Sequence, residues 1–219
     1  YKVAIGKLPS FLRAHKNLGL VLLQREEFAQ AADALIKAIS HGENEGVTFV
    51  ALGYCYLMLE KFASAENAYR AAILRNPEAR DAQNGLVNCL LETSRHAEAA
   101  AMLEELIAKY PEQSFYGRAQ TNAYVQLDKP LGAALNLETL RRMGELDVRG
   151  HLLLGDLYHN LELSDLALLV YRKALALQGD LDAGRFIRVA SILVDRGSYE
   201  EGFEYLDRIQ AKFDQGLEE

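Results

Sequence analysis

The sequence predicts an all-α protein, a solenoid in which antiparallel helix pairs are stacked side by side. Three observations predict this fold class. Ala and Leu are abundant, while Val, Ile, Thr and aromatic residues form no strand-like runs, and this composition favours helices. Apolar residues recur three or four positions apart within each segment, which is the spacing of one helix face. The same pattern of small and apolar residues also returns at a constant interval of about 34 residues, which is typical of a repeat array.

The clearest repeat runs from Gly46 to Ala79, and its first residue defines position 1 of the register used below. Position 20 is alanine in five successive repeats: Ala31, Ala65, Ala99, Ala133 and Ala167. Stepping along the chain by this interval predicts repeats at 12–45, 46–79, 80–113, 114–147 and 148–181, of which 114–147 is irregular. A divergent sixth repeat, one residue out of step, is predicted at 183–216.

Each repeat divides into the same three elements. Positions 4, 7, 8 and 11 share one face of a first helix, and positions 20, 24, 27 and 28 share one face of a second. A short polar turn around positions 14 to 17 separates the helices. Where proline stands at position 32, as Pro77 and Pro111 do, it ends the second helix. Small residues at positions 8 and 20, such as Gly53 and Ala65, are expected to face each other and allow a close approach. One hairpin cannot cover its own apolar face, so stacking is required.

The first eleven residues match the second half of a repeat. Four of them stand two repeat intervals before their equivalents in the repeat 46–79: Tyr1, Ala4, Ile5 and Pro9. We therefore expect residues 1–11 to be the end of a truncated repeat. At the other end, Phe203 and Phe213 have no evident successor to cover them. The chain is expected to be one continuous solenoid domain and a fragment of a longer protein.

The repeated motif resembles the tetratricopeptide repeat family. Leu-Gly at positions 7 and 8 carries the strongest part of the resemblance, in Leu18-Gly19, Leu52-Gly53 and Leu154-Gly155. An aromatic residue or Leu at positions 11 and 24, Ala at 20 and 27, and Pro at 32 complete the motif. The resemblance covers essentially the whole chain, although the usual tryptophan of the family is absent. It implies a right-handed superhelix whose first helices line a concave groove that binds peptides or partner proteins.

The resemblance also implies candidate partner-binding residues at the groove positions of each first helix. In the first two repeats they are mostly apolar: Leu20, Val50, Tyr54 and Met58. In the later repeats they are polar: Asn84, Asn88, Arg118, Asn122, Arg149 and Asp156. Stacked amides can pair with a peptide backbone, because each supplies a donor and an acceptor. The polar residues could equally form an ordinary solvated face, and the apolar half could be filled by another part of the same protein.

A known use of such repeats is to grip the carboxylate end of a chaperone tail. The resemblance implies a set of Lys and Asn residues that this chain does not complete. Lys16 matches the first member, but Leu20 and Ala51 stand where asparagines are expected. Arg118 and Asn122 begin a second incomplete set. We therefore do not expect this role.

The sequence contains no motif of a catalytic, phosphate-binding or metal site. His151 and His159 lie about two turns apart on a predicted helix, too far to share one ion. Asp156 and His159 are close enough, but they lack a third ligand. His15 and His151 both occupy position 4, so we interpret them as packing residues. We expect no catalytic residue, no cofactor and no metal ion.

Charge and cysteine content restrict the partners and the compartment. A net charge of −7 disfavours a sequence-independent grip on nucleic acid or on anionic lipid. No stretch approaches the length of a membrane-spanning helix, so no direct insertion of this segment is expected. Cys55 and Cys89 occupy equivalent places in neighbouring repeats and are expected to pack as separate thiols. This favours the cytoplasm, with the periplasm as an open alternative.

Two functions from different classes follow. The first is a non-enzymatic scaffold that binds a protein or peptide partner in the groove of the array. The second is a structural or regulatory arm of a larger enzyme or export machine, whose partner is another domain of the same chain. An enzyme within the segment would require a convergent polar cluster, which the sequence does not supply.

Overall fold

The computed structural model describes residues 1–8, 10–177 and 182–215, and the regular structure of this part is helical throughout. The chain divides into two compact units, Tyr1–Met102 and Leu103–Glu219, called unit 1 and unit 2 below. The predicted role of Pro9 and the side chain of Phe213 lie outside the described residues. So do residues 178–181 and 216, at the ends of two predicted repeats.

Unit 1 is a stack of helix pairs. Its helices are α1 (Lys2–Lys7), α2 (Leu12–Gln24), α3 (Phe28–Ser40), α4 (Gly46–Met58), α5 (Phe62–Arg75) and α6 (Arg80–Glu92). The next helix, α7 (His96–Lys109), contains the division between the units. From α1 to α6, each helix contacts the next, and α4 also contacts α2 and α6. The first helices of the pairs therefore lie side by side.

Unit 2 is likewise built of consecutive helix pairs. Its helices are α8 (Ser114–Gln126), α9 (Pro130–Arg142), α10 (Val148–Asn160), α11 (Ser164–Ala176), α12 (Ala183–Asp195) and α13 (Tyr199–Gln215). Each of them contacts its successor. The predicted fold class, an all-α solenoid of stacked antiparallel helix pairs, is confirmed in each unit. The repeat boundaries themselves stay a prediction.

The turn inside each pair has one conformation throughout. Glu27 N donates to Leu22 O at 3.0 Å, and Glu26 N donates to Leu23 O at 2.9 Å. This is the Schellman arrangement, in which a left-handed residue returns two amides to the last helical carbonyls. The left-handed residue recurs at the same register position: Glu26, Glu60, Ser94, Asp128, Glu162 and Gly197. A polar turn was predicted here, but its left-handed residue was not, because five of the six are not glycine.

The core of unit 1 is organised by the ring of Tyr69, which is 2% exposed. A Cβ atom added to Gly53 would lie 2.8 Å from Cδ1 of this ring, and one added to Gly85 would lie 2.2 Å from Cζ. Gly53 belongs to α4 and Gly85 to α6, so the ring of α5 packs closely against both first helices. Neither position has room for a larger residue, because real Cβ atoms do not approach other heavy atoms so closely.

The expected pairing of small residues at positions 8 and 20 differs from the structure. The nearest atoms to Gly53 are those of Tyr69 at position 24, and not those of Ala65 at position 20. Gly19 likewise faces Leu35, with the carbonyl oxygen of Ala31 further away. Positions 20 and 24 lie on the same helix face, one turn apart. The larger of the two side chains therefore reaches across to the glycine.

This packing predicts that Gly85→Ala lowers the free energy of unfolding by about 1–3 kcal/mol, the usual cost of overpacking a core. The loss is expected although alanine is the better helix former by about 1 kcal/mol. Gly6→Ala is the matched control, because no atom lies within 4 Å of its added Cβ. The measurement is the urea midpoint at an unchanged m-value.

A Tyr69→Leu background tests the cause of that loss. Shortening the side chain removes the atoms that the new methyl group meets, so the two substitutions should be non-additive. Additive effects, or a Gly85→Ala variant as stable as the original chain, would show that the ring does not press on α6.

Candidate functional site

A groove in unit 1, called the unit 1 groove below, has a volume of about 460 Å³. Its walls come from the three first helices: Leu20 and Leu23 of α2, Val47, Val50, Tyr54 and Leu57 of α4, and Asp81, Asn84, Gly85 and Asn88 of α6. Tyr69 of α5 completes the lining. The side-by-side contacts of α2, α4 and α6 therefore create one concavity from residues distant in sequence.

The wall formed by α4 is apolar and accessible. Tyr54 is 43% exposed, and Val47, which lines the groove on the same helix, is 56% exposed. The ring of Phe28 meets Tyr54 edge to face, with the ring centroids 6.1 Å apart and the planes at 74°. This contact supports one side of the Tyr54 ring, while much of its surface stays open to solvent. Contiguous apolar surface of this kind usually marks an interaction site.

The wall formed by α6 is polar. Asp81 is exposed, whereas Asn84 and Asn88 are half-buried. The Oδ1 atom of Asn84 is buried and has no hydrogen-bond partner among the described residues. Buried acceptors are normally satisfied, so such an oxygen favours a donor supplied from outside the chain. Together with the Asp81 carboxylate, it gives this wall a surplus of acceptors.

Five of the ten candidate residues from the sequence meet in the unit 1 groove: Leu20, Val50, Tyr54, Asn84 and Asn88. Met58 lies on α4 outside this lining. Lining residues that were not among the ten candidates include Tyr69, Asp81 and Gly85. Asp81 and Gly85 occupy positions 2 and 6, so the register already pointed to them. Tyr69 belongs to α5, the second helix of its pair. Its position in the groove becomes evident only from its contact with Gly85 on α6.

The other four candidates lie in unit 2. Arg118 donates to the backbone oxygen of Glu145 at 2.8 Å and to its carboxylate at 3.1 Å. Asn122 and Arg149 are exposed. Arg118 is therefore engaged within its own unit.

Asp156 bridges three helices of unit 2. Its carboxylate accepts from the Tyr171 hydroxyl at 2.7 Å, from Arg185 at 2.6 Å and from Arg188 at 2.5 Å. Tyr171 lies on α11, and both arginines lie on α12. Burial and the hydrogen bond to Asp156 raise the pKa of Tyr171. Asp156 therefore links α10 to α11 and α12 through polar contacts, a structural role that its groove position did not predict.

Lys16, which begins the incomplete carboxylate-gripping set, is also engaged. Its Nζ lies 2.5 Å from the carboxylate of Glu45 and 3.5 Å from that of Glu43. The hydrogen bond to Glu45 and the nearby negative charge raise the pKa of Lys16. A carboxylate ligand would therefore have to displace both acidic residues.

The remaining candidate chemistries have simple structural accounts. His15 and His151 are buried at packing positions, and Nδ1 of His151 lies 2.8 Å from Asp147 O. Within the described residues, no three His, Cys, Asp or Glu side chains are placed to hold a metal ion. Cys55 and Cys89 are buried free thiols, and burial raises the pKa of each to about 11. None of the described helices has the length and apolarity to cross a bilayer.

Comparison with known proteins identifies the repeats. A family model described as "Tetratricopeptide repeat" matches residues 50–114 and 118–184, which is more than half of the chain. The general transcriptional corepressor ssn6 of Schizosaccharomyces pombe is 27% identical over 106 residues, which are 47% of this chain and 10% of that protein. The corepressor trfA of Dictyostelium discoideum is 26% identical over 81 residues, 37% of this chain and 6% of that protein. The chain thus spans a tenth or less of these curated relatives.

Several solved structures have a similar fold. MamA (residue 41 to the end) from Desulfovibrio magneticus RS-1 gives a TM-score of 0.68 at 16% identity, covering 76% of this chain and 94% of that one. PilF of Pseudomonas aeruginosa gives 0.63 at 23% identity, covering 94% of both chains. YrrB, described as a TPR protein with an unusual peptide-binding site, gives 0.65 at 20% identity, covering 81% and 91%. At these identities the likeness shows the fold alone.

The cluster around Asp156 predicts a difference in stability between two variants on α10. Asp156→Ala leaves the Tyr171 hydroxyl and two neighbouring guanidinium groups without their shared acceptor. We expect the free energy of unfolding to fall by about 1–3 kcal/mol. The exposed neighbour provides the control, since Arg149→Ala should change it by no more than about 0.5 kcal/mol. Chemical denaturation measures the free energy of unfolding of both variants, and equal effects would contradict the structural role of Asp156.

Proposed function

Since the chain belongs to the tetratricopeptide repeat family, we propose that it is a non-enzymatic scaffold that binds a peptide or protein partner in the unit 1 groove. Proteins of this family bind protein partners. The observation that carries the proposal is the pairing, in one concavity, of an accessible apolar wall on α4 with a polar wall on α6. A peptide has the same two kinds of surface, in its side chains and its backbone.

The apolar wall would supply most of the affinity. Tyr54 presents a large ring that Phe28 contacts on one side, and this contact reduces the rotational freedom that the ring would lose on binding. Tyrosine is enriched among the residues that dominate binding energy at interfaces. Val50 and Leu20 lie beside it in the groove, and together these side chains offer a surface for an apolar side chain of the partner.

The polar wall would select and orient the partner. Asn88 can donate and accept one hydrogen bond each with a peptide unit. The unsatisfied Oδ1 of Asn84 and the carboxylate of Asp81 both accept, so they suit backbone N–H groups or a basic side chain. The net charge of the chain is consistent with a protein ligand and disfavours nucleic acid.

A second candidate is that the array serves as a structural or regulatory arm of a larger polypeptide, such as an enzyme or an export machine. The observation in its favour is the small share, 10% and 6%, that the matched segments occupy in the two corepressors. In this case the groove would be occupied by another domain of the same protein.

Binding of short peptides tests the groove proposal. Peptides are selected from a displayed random library against the whole chain, and calorimetry then measures their affinity for variants. Tyr54→Glu places a charge in the apolar wall and should weaken binding by about 2 kcal/mol or more, roughly thirtyfold. Asn88→Ala removes one or two hydrogen bonds and should cost about 1 kcal/mol, roughly fivefold.

Ile36→Glu is the matched control, because Ile36 is an exposed apolar residue of unit 1 that does not line the groove. It should leave the affinity unchanged. Selected peptides that bind Tyr54→Glu and Asn88→Ala as tightly as the original chain would contradict the proposal, and so would a selection that yields no binder.

A further inference from the structure

Unit 2 contains a pocket of about 730 Å³, called the unit 2 pocket below. It lies between α9 and α11 and is closed on one side by Arg196, which follows α12. Its volume is within the range of pockets that hold a small ligand or a cluster of partner side chains. None of the ten groove candidates lines it.

The floor of the unit 2 pocket is apolar. Leu168 is buried there, while Leu169 is 54% exposed and available for contact. Leu146 and Leu177 extend the apolar surface on either side. An accessible leucine at the centre of a concave surface is a suitable anchor for an apolar side chain of a ligand.

The rim carries an unusual concentration of positive charge. Four cationic residues line the pocket together with a single acid, Asp165: Arg141, Arg172, Lys173 and Arg196. Unit 2 as a whole has the opposite balance, with 13 Lys and Arg against 20 Asp and Glu. Counted with the carboxylates that pair with its three arginines, the rim keeps one positive charge in excess, that of Lys173, on an acidic unit.

The rim arginines are held in place by acidic neighbours. Arg141 pairs with Glu138 at 2.8 Å, Arg172 pairs with Glu201, and Arg196 pairs with Asp165. A guanidinium has five N–H donors, so a pair with one carboxylate leaves donors for a ligand. For Lys173, the part of the chain that the structure describes offers no ion pair.

Position 22 of the register distinguishes the apolar part of this surface from unit 1. Position 22 is Asp33, Asn67 and Ala101 in the repeats that begin in unit 1, but Leu135 and Leu169 in the next two. Leu135 is 61% exposed, so it is not part of the buried core. The leucines at this position therefore add exposed apolar surface to unit 2.

We propose that the unit 2 pocket is a docking site for an acidic amphipathic peptide segment of a partner protein. Leucine or phenylalanine side chains of the segment enter the pocket over Leu169, and its carboxylates contact the arginines and Lys173. Charge complementarity selects an acidic segment, because the rim is basic while the surrounding unit repels further acid elsewhere. The exposed Leu166 favours a peptide over a small amphiphile, since it adds apolar surface on α11, which supplies more of the lining than any other helix.

Two labelled synthetic helical peptides test this proposal on the whole chain. Both carry leucines on one face, and the flanking residues are glutamates in one peptide and lysines in the other. Fluorescence anisotropy should show that the glutamate peptide binds at least about tenfold more tightly, with an affinity that falls as salt is added. Lys173→Glu should weaken the glutamate peptide, and Arg172→Glu/Lys173→Glu should reverse the preference towards the lysine peptide.

Arg70→Glu is the matched control, because Arg70 occupies in the repeat 46–79 the position that Arg172 occupies in 148–181. It should change neither affinity. The single variant Lys173→Glu is expected to leave the fold intact, since it breaks no ion pair among the described residues. Its result can therefore be interpreted even if the double variant unfolds. The proposal is overturned if neither peptide binds, if both bind equally, or if the reversed rim keeps the original preference. It is also overturned if only an anionic naphthalene sulfonate dye occupies the pocket.

Discussion

The stack of α4, α5 and α6 depends on one contact, in which a large side chain of the second helix fills the close approach of the helices at two glycines. In unit 1 the ring of Tyr69 lies against Gly53 of its own pair and Gly85 of the next. A pair alone leaves this ring exposed, so each pair needs its neighbour to become stable. The same ring lines the unit 1 groove. The packing that stabilises the stack therefore also determines the shape of the surface that we propose binds a partner.

Much of the fold could be predicted because its determinants are local and repeated. Helical periodicity, a polar turn and small residues at fixed positions recur within every repeat. What could not be predicted is which side chain fills a given space. The register offered Ala65 as the neighbour of Gly53, but a longer residue one turn away reaches it first. Left-handed conformations at Glu26 and Ser94 were equally hidden, since the sequence gives no glycine there to indicate them.

The candidate site, like the fold, could be predicted from the sequence only in part. Register alone placed Tyr54, Asn84 and Asn88 on first helices that lie side by side, so their meeting in one groove follows from the repeat. Asp156 occupied a similar position, yet its carboxylate is taken by Arg185 and Arg188 of α12. Periodicity describes what the repeats share, whereas such ion pairs depend on residues in which they differ. The basic rim of the unit 2 pocket also depends on residues in which the repeats differ. It could therefore be recognised only from the three-dimensional structure.

The most direct test of this account is a nuclear Overhauser measurement on the ring protons of Tyr69 in the isotopically labelled chain. Because the ring lies between two helices, it should show strong contacts to the α-protons of both Gly53 and Gly85. Contacts to only one of these glycines, or to neither, would contradict the claim that the Tyr69 ring joins the pair of α4 and α5 to α6.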